Sequence, residues 1–492
     1  MQRVVIAGGG FSGAATAIDL CRRSPEPLDI RIIEPRERIG AGLAHSAPHP
    51  QHRLNGTPAI HAIHLDEPLH FANWLSDSGT LAGDPAATTP QGVVFARRAD
   101  FGRYMGEEIA RWSRHNSSGS RIEHVREAAI KVAHRTGALE VALSDGRTLP
   151  ADRLVLALGW NETGVLGPLT AIADHPGWFG NPWDVERLST IARQAPVLLI
   201  GAGLTAADTF AVLAAEGHQG PVLAVSRRGL RPGLQNPHRY AISVWQRLLD
   251  PHPDFIRKHG HPRTIRAALR ALRAGIESID PATSSWQVPF DELRDCVTHF
   301  WPAMPLAEKQ RFVRHLKSRY DAARFRNPPQ IQQIIDAGTA SGQLKFMAAR
   351  LQSARVAQGA LEIDLDVRDG RDGRDRHDGS GPRTLKFAAV INCTGPQPRP
   401  SASGNALWRS LIADGLARDH PCGLGIDVDA SYRLLDAGGQ PQNDMIALGP
   451  PTLGGFGEAA AVPYIARQIF EATDQFVAAA SGEGKVKSNF HR

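Results

Sequence analysis

A β-branched run, Val4-Val5-Ile6-Ala7, leads without a break into Gly8-Gly9-Gly10-Phe11-Ser12-Gly13 and then into Ala14-Ala15-Thr16-Ala17-Ile18-Asp19-Leu20. Few folds admit this order of strand, glycine turn and helix. The apolar strand belongs inside a parallel sheet. Gly8 allows the tight turn, Gly10 lets the backbone approach a pyrophosphate, and Gly13 lets the helix lie close on the strand. Phe11 and Ser12 open the helix, whose free N–H groups face an anion. A second run, Asp29-Ile30-Arg31-Ile32-Ile33, ends in Glu34, 21 residues past Gly13. An acid at that place accepts hydrogen bonds from ribose hydroxyls and repels a 2′-phosphate, so the site suits FAD or NAD rather than NADP.

The pattern recurs. Val197-Leu198-Leu199-Ile200 is followed by Gly201-Ala202-Gly203-Leu204-Thr205-Ala206 and a further helical run, with Ala206 in the third glycine's place. The next strand, Pro221-Val222-Leu223-Ala224-Val225, ends in Ser226-Arg227-Arg228 instead of an acid. Two guanidinium groups and a hydroxyl suit a 2′-phosphate, which points to NADPH. The competing reading gives these arginines to surface ion pairs. Each copy then carries a β-meander returning to a buried strand. The first returns at Leu154-Val155-Leu156 and reaches Gly159; the second returns at Val390-Ile391-Asn392 and reaches Thr394-Gly395. Gly159, Thr394 and Gly395 are expected beside the cofactors. The long hairpin tip of the second copy runs from Asp369 to Pro382.

These readings predict an α/β chain with two Rossmann-like, three-layer dinucleotide-binding domains. Residues 1–160 and 390–480 form the FAD domain, and 161–389 the NAD(P) domain. A helical insertion is expected at about 240–342, and 481–492 as a flexible tail. Trp245, Trp286, Phe300 and Trp301 are expected in the insertion's apolar core, with substrate stacking as the alternative.

Composition narrows the classes further. With 42% apolar residues over 492 positions the chain can bury a large core. No apolar run is long enough to cross a membrane, and no charged leader precedes the first strand, so a cytoplasmic protein is expected. The formal charge is +6, but eight lysines leave 48 arginines scattered among 50 acids. No basic stripe forms, which argues against nucleic acid. Cys21, Cys296, Cys393 and Cys422 lie far apart, without a C-x-x-C that could carry a dithiol relay or a zinc ion.

The chain resembles the two-dinucleotide-binding-domain flavoproteins and, more narrowly, the bacterial FAD/NAD(P)-binding flavoproteins of the YdhS type. The likeness rests on residues 8–13 with Glu34, Ile39-Gly40-Ala41-Gly42-Leu43-Ala44, Leu54-Asn55, Phe71 with Trp74-Leu75, Arg97-Arg98, and Phe101-Gly102-Arg103-Tyr104. Later it adds residues 201–205 with Asp208, Ser226-Arg227-Arg228-Gly229-Leu230, Asn392-Cys393-Thr394-Gly395 and Leu448-Gly449-Pro450. The resemblance implies that Asn55 lies near the flavin, as does the loop from Gly449 to Gly457. It also implies a helix beginning at Glu458 whose N-terminus faces the pyrimidine end of the ring. The chain departs from the pattern at His45, which replaces an aromatic residue, and at Gly56.

Six histidines, at 45, 49, 52, 61, 64 and 70, crowd this stretch among Pro48, Pro50, Pro58 and Pro68. The prolines deny them a rigid metal frame, so no metal is expected. His45 and His52, with Asn55, are the candidates for proton donation or substrate contact beside the flavin. The function expected is an NADPH-dependent FAD oxidoreductase acting on a small molecule, with oxygen or an organic acceptor taking the electrons. N-hydroxylation of a small amine or amino acid is the alternative, and a flavin-binding sensor without turnover is the rival from another class.

Overall fold

The computed structural model describes residues 1–47, 49–135, 137–235, 241–368 and 381–480. Pro48, most of the expected hairpin tip and the expected tail lie outside the described residues. The first apolar run forms β1 (Gln2–Ala7), buried from Val4 onward. Glycines 8–10 turn the chain into α1 (Phe11–Arg23), whose small side chains Ala14 and Ala17 are fully buried and let it settle onto the sheet. There follow β2 (Leu28–Ile33), α2 (Arg98–Arg114) and β3 (Arg121–Val125). An antiparallel meander of β4 (Ala129–Arg135), β5 (Ala138–Leu143) and β6 (Thr148–Ala151) stands apart as its own sheet. β7 (Arg153–Leu156) then pairs in parallel with β1, Val4 opposite Arg153.

The second unit repeats the plan. It comprises β8 (Trp178–Phe179), β9 (Val197–Ile200), α3 (Leu204–Ala215) and β10 (Val222–Ser226). After the insertion come α4 (Pro329–Ala340), β11 (Leu344–Ala357), β12 (Ala360–Val367), β13 (Gly381–Phe387) and β14 (Ala389–Asn392). The strand order is β13-β12-β11-β10-β9-β14-β8. β11 does two jobs: its first residues pair in parallel with β10, and the rest pairs antiparallel with β12. Here the meander is continuous with the main sheet, unlike in the first unit. β14 pairs with β9 along its whole length, Ala389 opposite Val197. The domain boundary expected at 390 therefore falls inside a strand of the second sheet, and the chain leaves that sheet only after Asn392.

The chain then returns to the first unit with β15 (Arg433–Leu435), β16 (Pro441–Ala447) and α5 (Val462–Ala480). The first sheet thus reads β15-β16-β7-β1-β2-β3. Ile465, Ile469 and Ala472 of α5 belong to the same apolar core as Ala14 and Ile18 of α1.

Among the described residues, seven helices fill the insertion between β10 and α4: Ala241–Leu249, Asp254–His259, Ile265–Glu277, Gln287–Asp295, Val297–Phe300, Leu306–His315 and Lys317–Arg324. Phe255, Leu293, Phe300, Trp301 and Met304 give it a core of its own. α4, inside the span expected for the insertion, instead contributes Ile331 and Ile335 to the core of the second unit. Two aromatic expectations need correction. Trp245 does not join the insertion core but packs with Ala62 and Ala466 of the first unit, its indole N–H donating to Ala59 O at 2.7 Å. Trp286 is 44% exposed, with the Arg326 guanidinium 5.5 Å from its ring centroid. Among the described residues, no helix is long and apolar enough to cross a membrane.

Candidate functional site

At the first glycine turn, Gly8 holds φ +103°, and a Cβ there would lie 2.4 Å from Ala157 O. A Cβ on Gly13 would lie 1.9 Å from Gly8 O, so only glycine lets α1 pack at this distance. Gly10 caps α1, and no side chain takes up the first N–H groups. Glu34, buried at the end of β2, accepts from Gly9 N at 3.0 Å and from Arg36 N at 3.1 Å. The carboxylate is thereby held beside the turn. Gly449 comes from the returning chain; a Cβ on it would meet Ser12 Oγ at 2.7 Å. Its N–H donates to Gln468 Oε1 of α5 at 3.0 Å. Open donors, a glycine floor and a fixed carboxylate suit the ADP half of a dinucleotide. Nothing lies within 4 Å of a Cβ built on Gly159 or Gly395.

The loop after Gly449 differs from expectation. The long helix starts at Val462, not at Glu458. Glu458 is 1% exposed and receives both Nε and Nη2 of Arg324, the latter at 2.7 Å, while also accepting from Ala460 N at 3.0 Å. That buried pair occupies the carboxylate and ties the insertion to the loop. Gly457, at φ +76°, has Trp301 and Val297 against the position of its missing Cβ, both at 2.6 Å. Its need for glycine comes from the insertion's apolar core.

The second turn matches the first in its backbone. Gly201 holds φ +119°, and a Cβ would lie 2.3 Å from Cys393 O. The space around Gly203 is open, and α3 has no side-chain cap, leaving the N–H groups around Leu204 and Thr205 free. Thr394 donates its hydroxyl to Asn392 Oδ1 at 2.7 Å. The predicted phosphate grip divides three ways. Arg228 donates Nη1 to His315 O at 3.0 Å and to Ser318 Oγ at 2.7 Å, so the insertion occupies it. Arg227 is exposed and makes no hydrogen bond among the described residues. Ser226 Oγ is buried without a partner.

Between the turns, α2 and the loop before it meet α3. Arg98, the first residue of α2, donates Nη2 to Asp208 Oδ2 at 2.6 Å and Nε to Arg53 O at 3.0 Å. Burial pushes the Asp208 carboxyl up, against the opposing pull of Arg98. His49 reaches Glu216 at 3.3 Å, and Gln235 Nε2 donates to Asn55 O at 3.0 Å. The Asn55 amide makes no hydrogen bond among the described residues. His52 is buried, with its ring centroid 5.4 Å from that of Trp183. His45 meets Phe101 edge-on at 4.7 Å. Burial, then His61 and Arg98, takes His45 down to about 3; burial, then Arg98, does the same for His52. Neither is an imidazolium near neutral pH, so the donor role expected of them narrows to that of a neutral ring. Among the described residues, no group of three or more His, Cys, Asp or Glu is placed to hold a metal ion.

Sequence reasoning gave Arg98 and Asp208 no role and passed over Trp183 and Gln235. The available signal was Asp208 itself, the one charged residue in the helix LTAADTFAVLAA.

Residues 5–161 match the model of the FAD-NAD(P)-binding family. No curated protein matches the chain by sequence. Among solved structures, the chain is similar to ornithine hydroxylase from Pseudomonas aeruginosa in its reduced form, at 15% identity and TM-score 0.64, over 98% of this chain and 100% of that one. The ornithine N-hydroxylase of Kutzneria sp. 744, with reduced FAD, NADP+ and L-ornithine, shares 14% identity at TM-score 0.63, over 97% and 99%. L-lysine 6-monooxygenase from Pseudomonas syringae shares 17% at TM-score 0.60, over 98% and 100%. These likenesses establish the fold.

Proposed function

We propose that the chain is an FAD-dependent, NADPH-consuming oxidoreductase of the monooxygenase kind, hydroxylating the nitrogen of a small amine or amino acid. The observation that carries this reading is the pair of uncapped helix N-termini, at α1 and α3, on either side of a seam fastened by Arg98 and Asp208. Bound FAD supplies the redox chemistry, accepting hydride from a nicotinamide and passing electrons to oxygen. The chain's own residues bind and position. Residues 8–13 and Glu34 take the ADP half of the first dinucleotide, and Gly201, Gly203 and Arg227 take the second. Asn55, with its amide unengaged, is the polar side chain at the seam available to a ring edge or a substrate. The neutral rings of His45 and His52, with Phe101 and Trp183, keep water from the seam without placing a cation there.

Two features favour oxygen over a dithiol as the acceptor and an amine as the substrate. All four cysteines are buried and unpaired, so no thiol relay leads away from the first site. The likeness to ornithine and lysine hydroxylases runs through 97–98% of the chain, insertion included. The narrower likeness to flavoproteins of the YdhS type rests on the sequence motifs alone.

The test uses the FAD-loaded protein without oxygen, mixed with NADPH or NADH, followed by aerobic turnover with ornithine, lysine and short diamines. We expect NADPH to bleach the yellow protein and one amine to yield a hydroxylamine. Bleaching without a hydroxylated amine removes N-hydroxylation and keeps the oxidoreductase. A protein that takes up no flavin sinks both.

A further inference from the structure

A small cavity opens above the N-terminus of α3, bounded by Gly203, Ala207, Arg231, Asn327 and Phe346. Three features of its wall conflict unless a ligand resolves them. First, the leading N–H groups of α3 have no cap and give this helix end a positive partial charge. Second, Arg231 stands at the same cavity. It is exposed, has no carboxylate partner among the described residues, and lies over the Phe346 ring, 4.9 Å from the centroid. A guanidinium and a helix N-terminus repel one another, and an anion between them turns both into donors.

Third, Asn327 is 2% exposed and its Oδ1 has no partner among the described residues. The orientation of this amide follows from its neighbours. Gln332 donates Nε2 to Asp336 at 2.8 Å, so Gln332 Oε1 must accept, and Asn327 Nδ2 donates to it at 2.9 Å. Asn327 Oδ1 is left as a buried acceptor on a residue that lines the cavity. A buried acceptor without a donor is costly, and a hydroxyl satisfies it. An anion bound beside a hydroxyl donor describes a sugar phosphate.

We infer that Arg231 grips the pyrophosphate, and Asn327 a ribose hydroxyl, of the dinucleotide bound over α3, leaving Arg227 to the 2′-phosphate. This rests on the proposed NAD(P)H site. The 2′-phosphate is then left to Arg227 alone, since the insertion occupies Arg228, and the pyrophosphate gains a loop residue outside the glycine motif. Since NADPH and NADH share a pyrophosphate and differ at the 2′ position, the two arginines separate by ligand.

The test measures dissociation constants of NADPH, NADH and ADP for the FAD-loaded protein, in which the first site is filled. Arg231→Gln is expected to weaken all three by a similar factor, about tenfold for one charge-assisted hydrogen bond. Arg227→Gln is expected to weaken NADPH alone. Asn327→Leu, which removes the acceptor offered to the ribose hydroxyl, is expected to weaken NADPH and NADH alike, and unchanged binding of both overturns the ribose assignment; Arg231, being exposed, can change without a shift in Tm. If R231Q leaves NADPH and NADH binding unchanged, the inference fails and the proposed function stands. If R231Q weakens NADPH only, the pyrophosphate assignment is wrong. If the wild-type protein binds neither NADPH nor NADH, the proposed function fails and the inference fails with it.

Discussion

One β-carbon separates the two glycine turns. At Gly13 a methyl group would sit 1.9 Å from Gly8 O, yet the matching position in the second unit is Ala206, buried at 2% exposure. Gly13→Ala must therefore push α1 off β1. We expect a loss of about 1–3 kcal/mol, the cost of overpacking a close-fitted core. Because α1 also carries the open N–H groups, the variant should purify with less flavin. Thermal unfolding and the flavin-to-protein ratio check this together. Ala206→Gly should leave dinucleotide binding intact, since the second unit already accommodates the extra carbon. A Gly13→Ala protein with unchanged Tm and full colour would mean that helix and strand sit farther apart than described.

The contact between α2 and α3 is the element that sets one crevice against the other. Its ion pair is buried: the Arg98 and Asp208 side chains are 15% and 5% exposed. Removing one partner strands the other charge, at a cost of about 3–5 kcal/mol, whereas replacing both by apolar residues can be nearly neutral. Asp208→Asn should slow flavin bleaching by NADPH while NADPH affinity holds, because the phosphate contacts lie elsewhere on α3. Arg98→Leu with Asp208→Leu should recover stability but not the bleaching rate. Stopped-flow absorbance and Tm separate the two effects. Contacts of this kind also mark where sequence reading ends. The strands and glycine turns were legible because a local order of residue types, apolar run, glycines and helical run, marks them. Arg98 meets Asp208 across 110 residues and Arg228 meets Ser318 across 90, and no local pattern encodes either pairing. The start of α5 was misplaced for the same reason. The resemblance implied a helix opening at Glu458, whereas that residue pairs with Arg324, brought by the insertion, ahead of the helix that begins at Val462.

At the scale of the whole molecule, buried histidines govern the response to acid. Burial takes His45 and His52 to about 3, and His61 and His64 to about 4, from an ordinary value of 6.5. The unfolded chain therefore binds more protons throughout that window. Stability is complete above about pH 6.5 and falls as the pH drops toward the folded values, by about 1.4 kcal/mol per pH unit for each histidine. Tm measured from neutral pH downward should show this slope, and His64→Phe should reduce it by one proton's worth. An unchanged Tm down to about pH 5 would mean that these rings are already charged in the folded protein. A second consequence comes from the return of the chain to the first sheet. β7 must wait for β16, and α1 for α5, which lie some 300 and 450 residues further along. On the ribosome, residues 1–156 emerge with one sheet edge and one helix flank bare, and stay so until β16 and α5 have followed. The second unit, contiguous from β8 to β14, can close first, so the order of maturation runs opposite to the order of translation.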